Sequence, residues 1–407
     1  MSKNIMHEIV VVKFGGSVLQ DERAIRKAAE LIQGTTRSGL SVVVVVSAMK
    51  GVTDGLMELS KEVNPDMDPS VLDELLSSGE KTSARLVAAS LAKHSVSSVV
   101  VEPDSPSWPV ITDDRHLDAN PIFDATKERV EKYIVPLLRD GKVPVVCGFL
   151  GKTRGGKTTT LGRGGSDTTA VLLGSCLGAR EVVLIKDVEG VYTSDPDRVG
   201  NAHFVEALNG EEAGMLAAGG AKFLHQKALR YQKNGLRVRL TSLGRSDLGT
   251  IIEGDLPEAE VDVSSTDVSM ITVVGVDLNR MESFARLVSA VKESGASIPV
   301  ISLESRSAIL YVAGGTKVLD GVHRVLVEEK VGKAVSSFED LAMITVKGRA
   351  LEIQPGIVQR VTQPLARSGI NLFGVVTILS SVRVFVSLEH SERAICLIKE
   401  ALAMSGA

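Results

Sequence analysis

The chain has little of several things, and each shortage narrows what it does. Three cysteines in 407 residues, Cys147, Cys176 and Cys396, are odd in number, far apart and free of CxxC spacing. Neither a disulfide framework nor a cysteine-built metal site organises it, and core thiols in a reducing, cytoplasmic setting are expected. Charge of one sign is not in excess: 46 Lys and Arg against 50 Asp and Glu leave a net charge of -4. That removes the basic field that nucleic acid or an anionic membrane requires, so a small metabolite is the default substrate. No apolar run approaches the roughly 20 residues of a membrane span; the densest, Val42 to Val46, suits a buried strand. The amino-terminal stretch MSKNIMHEIVVVKFGG meets Lys13 and glycines before any apolar segment of signal-peptide length. Aromatics make up only 3% of the chain, while 44% hydrophobic and 24% charged residues give an ordinary globular composition. At domains of roughly 100–200 residues each, the length implies two or three of them.

What is present is an α/β alternation. Short β-branched runs at Ile9 to Val12, Ser41 to Val46, Val143 to Cys147 and Glu181 to Ile185 end in Gly, Ser or Asp, and each is apolar on both faces. Such runs suit a parallel sheet covered by helices. Helical periodicity predicts helices over Ala24 to Ile32, Val71 to Leu91, Pro121 to Leu138, Asp167 to Leu177 and Glu211 to Asn234, with Ser166 or Asp167 capping the fourth. After Gly249 the texture changes to a polar stretch containing Pro257, read as a linker. Beyond it SMITVVG at residues 269–275 returns as AMITVKG at 342–348, about 73 residues later, and ESGASI returns as RSGINL at nearly the same offset. Each repeat reads β-α-β-β-α, with helices near Met281 to Glu293 and Pro355 to Arg367, so two small ferredoxin-like modules are expected.

Four motifs carry chemistry. Lys13-Phe14-Gly15-Gly16-Ser17 follows a strand; its glycines let backbone amides approach phosphate oxygens, and its lysine can meet a transferring phosphoryl group. Alone, the same turn is equally a plain strand-to-helix connection with a solvated lysine. In TTTLGRGGSDTTAVLL, residues 158–173, a Gly164-Gly165 turn feeds a helix whose amino end favours anions and delivers Arg163 and Asp167 to one place. The segment VVLIKDVEGVYTSDP, residues 182–196, puts Lys186, Asp187 and Tyr192 after a strand, where a loop can hold a base and ribose, although other βα loops look similar. In AAGGAKFLHQKAL, Lys222 follows Gly219-Gly220 as a second cation. A fifth segment misleads. GKTRGGKT at 151–158 satisfies the P-loop pattern, yet Lys157 is followed by Thr158, Thr159 and Thr160, poor helix material, where a P-loop must open directly into a helix. A β-hairpin or loop tip is expected there instead.

In order, VKFGGSV, VVVVVSAMKGVTD, LLSSGEKTSARL, GFLG, TTLGRGGSDTTA, KDVEGVYTSDP, GAKFLHQKAL and the doubled C-terminal unit resemble the aspartate kinases of the amino acid kinase family over nearly the whole chain. The resemblance implies a three-layer αβα sandwich over residues 1–250, a linker at 251–266 and two ferredoxin-like βαββαβ ACT domains at 267–335 and 336–407, which can interleave strands. It implies ATP-dependent phosphorylation of the L-aspartate β-carboxylate to 4-phospho-L-aspartate, at the head of lysine, threonine and methionine synthesis. Lys13 and Lys222 would contact the ATP phosphates, with Asp167 positioning lysines and substrate, these three forming the catalytic set. Gly15, Gly16, Ser17, Lys186, Asp187 and Tyr192 would complete the ATP site, and Mg²⁺ would ride on the phosphates with no protein ligand set. Arg163 would hold a substrate carboxylate, Glu80 the α-ammonium group, and Ser47 and Thr53 would line the aspartate pocket. The ACT pair implies a homodimer or larger homo-oligomer with lysine or threonine as effector at its interface, and Asn371 fits that pattern.

The departures from the family fall mainly on the nucleotide loop. Lys186 stands where threonine is common, Asp197 follows Pro196 where arginine is common, and Gln226 replaces a frequent proline. Two other readings stand beside the kinase: the same fold acting on another small carboxylate or a carbamate, and a non-catalytic amino-acid sensor. Lys13, Asp167 and Lys222 argue against the sensor.

Overall fold

The computed structural model describes residues 8–221, 223–233, 235–245, 248–254, 262–276, 281–304, 306–315, 317–347, 351, 356–378 and 381–403. It forms two units, Met1–Leu256 and Pro257–Ala407.

The first unit runs β1 (Ile9–Phe14), α1 (Glu22–Arg37), β2 (Ser41–Val46), α2 (Val52–Val63), α3 (Pro69–Lys93), β3 (Ser98–Val101), β4 (Ile111–Thr112), α4 (Phe123–Arg129), a π-helical turn (Val130–Ile134), α5 (Val135–Arg139), β5 (Val143–Cys147), β6 (Leu150–Thr153), β7 (Thr158–Thr160), α6 (Gly165–Leu177), β8 (Glu181–Lys186), β9 (Val191–Tyr192), β10 (Phe204–Val205), β11 (Ala207–Asn209), α7 (Gly210–Ala218), α8 (Gln226–Leu229), β12 (Arg237–Ser242) and β13 (Thr250–Glu253). The main sheet has the order β11-β13-β12-β8-β1-β2-β5-β3, parallel from β12 through β3. Helices α1 and α3 pack together and onto β2, while α6, flanked by α4 and α8, packs on β1 and β2, giving the αβα layering. With both faces covered, β1 is buried at every residue, which is why IVVVKF shows no alternation. Because β1 lies between β2 and β8, the chain leaves it in one direction and returns on the other side. The carboxyl end of β1 is therefore a topological switch point, where such sheets open a ligand crevice.

Several local expectations are corrected. The helix expected over Glu211 to Asn234 is two pieces, because Gly219 and Gly220, the latter at φ 95°, end α7. Neither Ser166 nor Asp167 caps α6: the helix begins at Gly165 with Gly164 as N-cap and no side-chain cap, the Asp167 carboxylate being engaged elsewhere. The helix expected from Pro121 starts at Phe123 and widens into the π-turn just before Pro136, whose ring lacks an N–H and would crowd the preceding turn. The segment 151–158 is a hairpin, β6 and β7 pairing antiparallel with Lys152 opposite Thr158. Of the thiols, Cys147 and Cys176 are buried but Cys396 is exposed.

The second unit runs β14 (Asp262–Val274), α9 (Met281–Glu293), β15 (Ser297–Glu304), β16 (Ser307–Ala313), α10 (Val318–Glu329), β17 (Ala334–Lys347), α11 (Ile357–Arg367), β18 (Gly374–Ile378), β19 (Ser381–Ser387) and α12 (Ser391–Ala403). One sheet, β15-β16-β14-β17-β19-β18, carries both repeats. The long strands β14 and β17 are shared: residues 270–274 pair with 338–334 in the first module, and residues 262–268 pair with 347–341 in the second, with a register shift between Val268 and Met270. Each module thus has four strands, the first closed by the amino-terminal half of β17 and the second by the amino-terminal half of β14, which precedes the first repeat in the chain. The expected linker at 251–266 is corrected at both ends, since 250–253 is strand β13 and 262–266 opens β14. Separate cores lie under the helices of each module, one around Leu287, Leu310 and Val322, the other around Ile344, Val361 and Ile398.

Candidate active site

A cleft of about 580 Å³ opens at the carboxyl ends of β1 and β2, lined among others by Lys13, Ser47, Thr53, Leu76, Glu80, Arg163 and Asp167. Strand β1 supplies Lys13, 6% exposed, and ends in the glycine turn. The Gly15 amide donates to the Ile185 carbonyl at 3.1 Å, tying the turn to β8. A Cβ on Gly16 would stand 2.5 Å from the Ala48 carbonyl oxygen, so glycine is what lets this turn lie against the segment leaving β2. Across the cleft, Gly164 at φ 69° sits beneath His225 and starts α6, whose uncapped first turn, Gly165, Ser166 and Asp167, lines the site. The Gly165 amide is paired with the Gly162 carbonyl at 3.0 Å, and the positive helix end favours an anion there.

Asp167 joins the two walls. Its Oδ1 lies 2.7 Å from the Nζ of Lys13 and its Oδ2 lies 2.7 Å from the Nζ of Lys186 at the end of β8. Burial alone would raise the Asp167 carboxyl, but the two ammonium groups outweigh it and hold it well below the usual carboxylate range. Burial lowers the Lys13 ammonium below its ordinary value, Lys186 adds repulsion, and Asp167 opposes both.

At the other end of the cleft stands Glu80, on the face of α3 that also carries Leu76. Its Oε1 accepts the Ala48 amide at 3.0 Å. Its Oε2 is buried without a hydrogen-bond partner among the described residues. Burial pushes the Glu80 carboxyl up to about 7. Arg163 is exposed at the rim, and Ser47 and Thr53 line the wall between.

Not every expected residue is gathered here. Gly15, Gly16 and Ser17 form the turn beside Lys13, and Asp187 is exposed next to Lys186, acting on Lys13 through its charge. Tyr192 is off the cleft, edge-on to Phe204 at 5.6 Å. Lys222 lies outside the described residues.

The sequence reading missed a polar brace under the cleft floor. Asp73, fully buried on α3, accepts the Thr160 hydroxyl at 2.6 Å and the Leu117 amide at 3.2 Å, and meets His116 Nδ1 at 2.6 Å. Next along, Lys227 donates to Asp118 Oδ1 and to the Leu161 carbonyl, each at 2.8 Å. Together they hold Leu117 and Thr160, both in the cleft wall, and Leu117 and Phe149 keep left-handed backbones at φ 68° and 66°. The spacing of Asp73 seven residues before Glu80, one helical face, is the signal that was available.

Comparison with known proteins agrees with this geometry. Residues 8–242 match the amino acid kinase family. The chain is 32% identical over 412 residues to an aspartokinase of Corynebacterium glutamicum, covering 94% of this chain and 93% of that protein. It is 30% identical over 416 residues to an aspartokinase of Mycolicibacterium smegmatis, covering 98% and 97%. The crystal structure of aspartate kinase from Synechocystis superposes with a TM-score of 0.79 at 26% identity, over 97% of this chain and 69% of that one. A kinase-type sheet with a glycine turn at its switch point, a lysine-bracketed aspartate and full-length likeness to these proteins all point one way: the chain belongs to the amino acid kinase family.

Proposed function

We propose that the chain transfers the γ-phosphoryl group of ATP to the β-carboxylate of L-aspartate. The observation that carries this is the polarity of a single cleft, with a buried carboxylate oxygen on Glu80, unpartnered among the described residues, at one end and Lys13 and Asp167 at the other, Asp167 being paired as well to Lys186. The first seeks a cation and the second an anion, which suits a substrate bearing an ammonium group presented to a phosphate donor. The relatives' name, aspartokinase, supports the choice of amino acid.

The acceptor needs no base, because a β-carboxylate with a pKa near ~3.9 is already ionised at neutral pH. Its oxygen forms the new bond to the γ-phosphorus as the bond to the bridging oxygen breaks, and ADP leaves with that electron pair; no proton moves. What the site supplies is neutralisation and alignment of two anions: Lys13, the amides of Gly16 and Ser17 in the turn that Gly15 ties to β8, and the first turn of α6 on the phosphates, and Arg163, Ser47 and Thr53 on the amino acid. Lys222, Asp187 and Tyr192 complete the nucleotide side in this reading. Asp167 is committed to two lysines, and among the described residues no cluster of three or more His, Cys, Asp or Glu could hold a metal. In this reading Mg²⁺ would enter with the triphosphate.

The product feeds lysine, threonine and methionine synthesis in this reading, and the strand-sharing modules of the second unit are the place for lysine or threonine to act across a homo-oligomer. Among the described residues no helix is long and apolar enough to cross a membrane. Hydroxylamine trapping tests the activity: acyl hydroxamate should form with ATP, Mg²⁺ and aspartate. Formation with glutamate but not aspartate sinks the substrate assignment. Repeating the assay with added lysine or threonine tests the regulation.

A further inference from the structure

We propose that Lys186 is a catalytic residue, a second cation on the transferring phosphoryl group rather than a contact to the base or ribose; this rests on the kinase reading above.

Lys186 ends β8, one residue beyond Ile185, whose carbonyl receives the amide of Gly15 in the phosphate turn. Its ammonium therefore emerges beside the turn and not out along the loop that leads to Tyr192. The side chain is only 15% exposed and its Nζ sits 2.7 Å from Asp167 Oδ2, while Lys13 occupies Oδ1 of the same carboxylate. Two ammonium groups are thus held on the two oxygens of one aspartate in the first turn of α6, and of the three residues Lys13 and Asp167 line the cleft.

Charge decides what this arrangement is for. Lys13 and Asp167 alone make a neutral buried pair, 7% and 6% exposed at their side chains, with nothing left over for a ligand. Lys186 turns that pair into a cluster of net positive charge. An unneutralised charge out of water is costly, and the uncapped amino end of α6 beside it adds more positive potential. Asp187, the nearest further carboxylate on this strand end, is exposed and does not contact either ammonium group at ion-pair distance. Among the described residues no further carboxylate pairs with either lysine; an anion would complete the cluster, and a terminal phosphoryl group is the one whose charge the reaction must manage as the bond to ADP breaks. Asp167 then acts as the spacer that keeps two mutually repelling ammonium groups aimed at one phosphorus.

The position discriminates between nucleotides. A cation on the γ-phosphate contributes to binding a triphosphate and nothing to binding ADP, whereas a contact to base or ribose contributes equally to both. In the full-length protein, Lys186→Met should lower kcat about 100-fold, as loss of one charge-stabilising donor does. Its affinity for the non-hydrolysable β,γ-imido analogue of ATP with Mg²⁺, measured by calorimetry, should fall by about tenfold or more, the scale of one charge-assisted hydrogen bond. ADP affinity should stay near that of the unsubstituted chain, and Lys186→Arg, which keeps the charge, should recover much of the triphosphate affinity. Equal losses for the two nucleotides, or an unchanged kcat, would overturn the proposal. Should methionine unfold the chain, Lys186→Gln, which keeps a donor to Asp167, is read by the same two titrations. If the unsubstituted chain forms no acyl phosphate from any carboxylate, the kinase reading fails by itself, while the triphosphate-against-diphosphate comparison still tests Lys186.

Discussion

Replacing Glu80 by glutamine should make the protein more stable at pH 8 while it weakens binding of the amino acid. Glu80 is 3% exposed, with one carboxylate oxygen on the Ala48 amide and the other unpaired. Burial raises its carboxyl from 4.5 in the unfolded chain to about 7 in the fold. The sign follows from proton occupancy: between those values the folded state keeps a proton that the unfolded chain has lost. The favourable contribution is complete below 4.5 and is lost as pH rises through about 7. At ~1.4 kcal/mol per unit, ionising Glu80 in the empty cleft costs roughly 3 kcal/mol at pH 8. Glutamine cannot ionise, keeps an oxygen for Ala48, and puts its amide where the protonated acid has its hydroxyl, so the two side chains should be matched near pH 4.5. For a unit of this size the gain at pH 8 corresponds to about 6–12 °C in Tm. Thermal melts of the ligand-free protein and of Glu80→Gln at pH 4.5 and pH 8 measure it; a Tm difference that is the same at both pH values, or a loss at pH 8, would refute the reasoning. The same carboxylate makes the KM for aspartate rise as pH falls below about 7, and glutamine should raise KM and flatten that dependence. A residue that costs stability until its ligand arrives is a mark of function rather than folding.

Other substitutions separate the parts of the site. Lys13→Ala should reduce acyl phosphate formation by about 100-fold or more, since it removes a cation from the phosphate end and leaves Asp167 with one lysine; an unchanged rate refutes its role. Asp73→Ala removes the acceptor for Thr160, Leu117 and His116, and should cost roughly 2–4 kcal/mol in urea unfolding because buried donors are left without partners. It should also raise KM for the amino acid, since Leu117 and Thr160 line the cleft; an unchanged urea midpoint would remove the brace. Lys157→Ala should leave turnover unchanged, because Lys157 lies in the hairpin between β6 and β7, whose end it closes through the Thr153 hydroxyl. Loss of turnover would restore the P-loop reading.

Much of the frame is legible along the chain because it depends on local chemistry. Runs such as Ser41–Val46 and Val143–Cys147 announce strands covered on both faces, and they fall where periodicity and β-branching place them. The 73-residue repeat announces two modules. Where the sequence misleads, a non-local term wins: Gly219 and Gly220 break an otherwise helical stretch, and the first turn of α6 goes uncapped because Asp167 answers to Lys13 and Lys186 from two other strands.

By itself, then, the sequence determines the α/β alternation, the glycine turns at strand ends, the paired C-terminal modules and the presence of Lys13, Glu80, Arg163 and Asp167 as chemistry-bearing residues. These follow from side-chain periodicity and from backbone freedom at glycine, which act over a few residues. Only the tertiary structure decides that Glu80 keeps one oxygen unpaired in the cleft that holds Lys13, that Asp73 braces the floor, and that Lys186 turns inward to Asp167. Burial, charge pairing and orphaned polar atoms are properties of neighbours brought together from distant parts of the chain, and spacing along it records at most that residues such as Asp73 and Glu80 share a helical face.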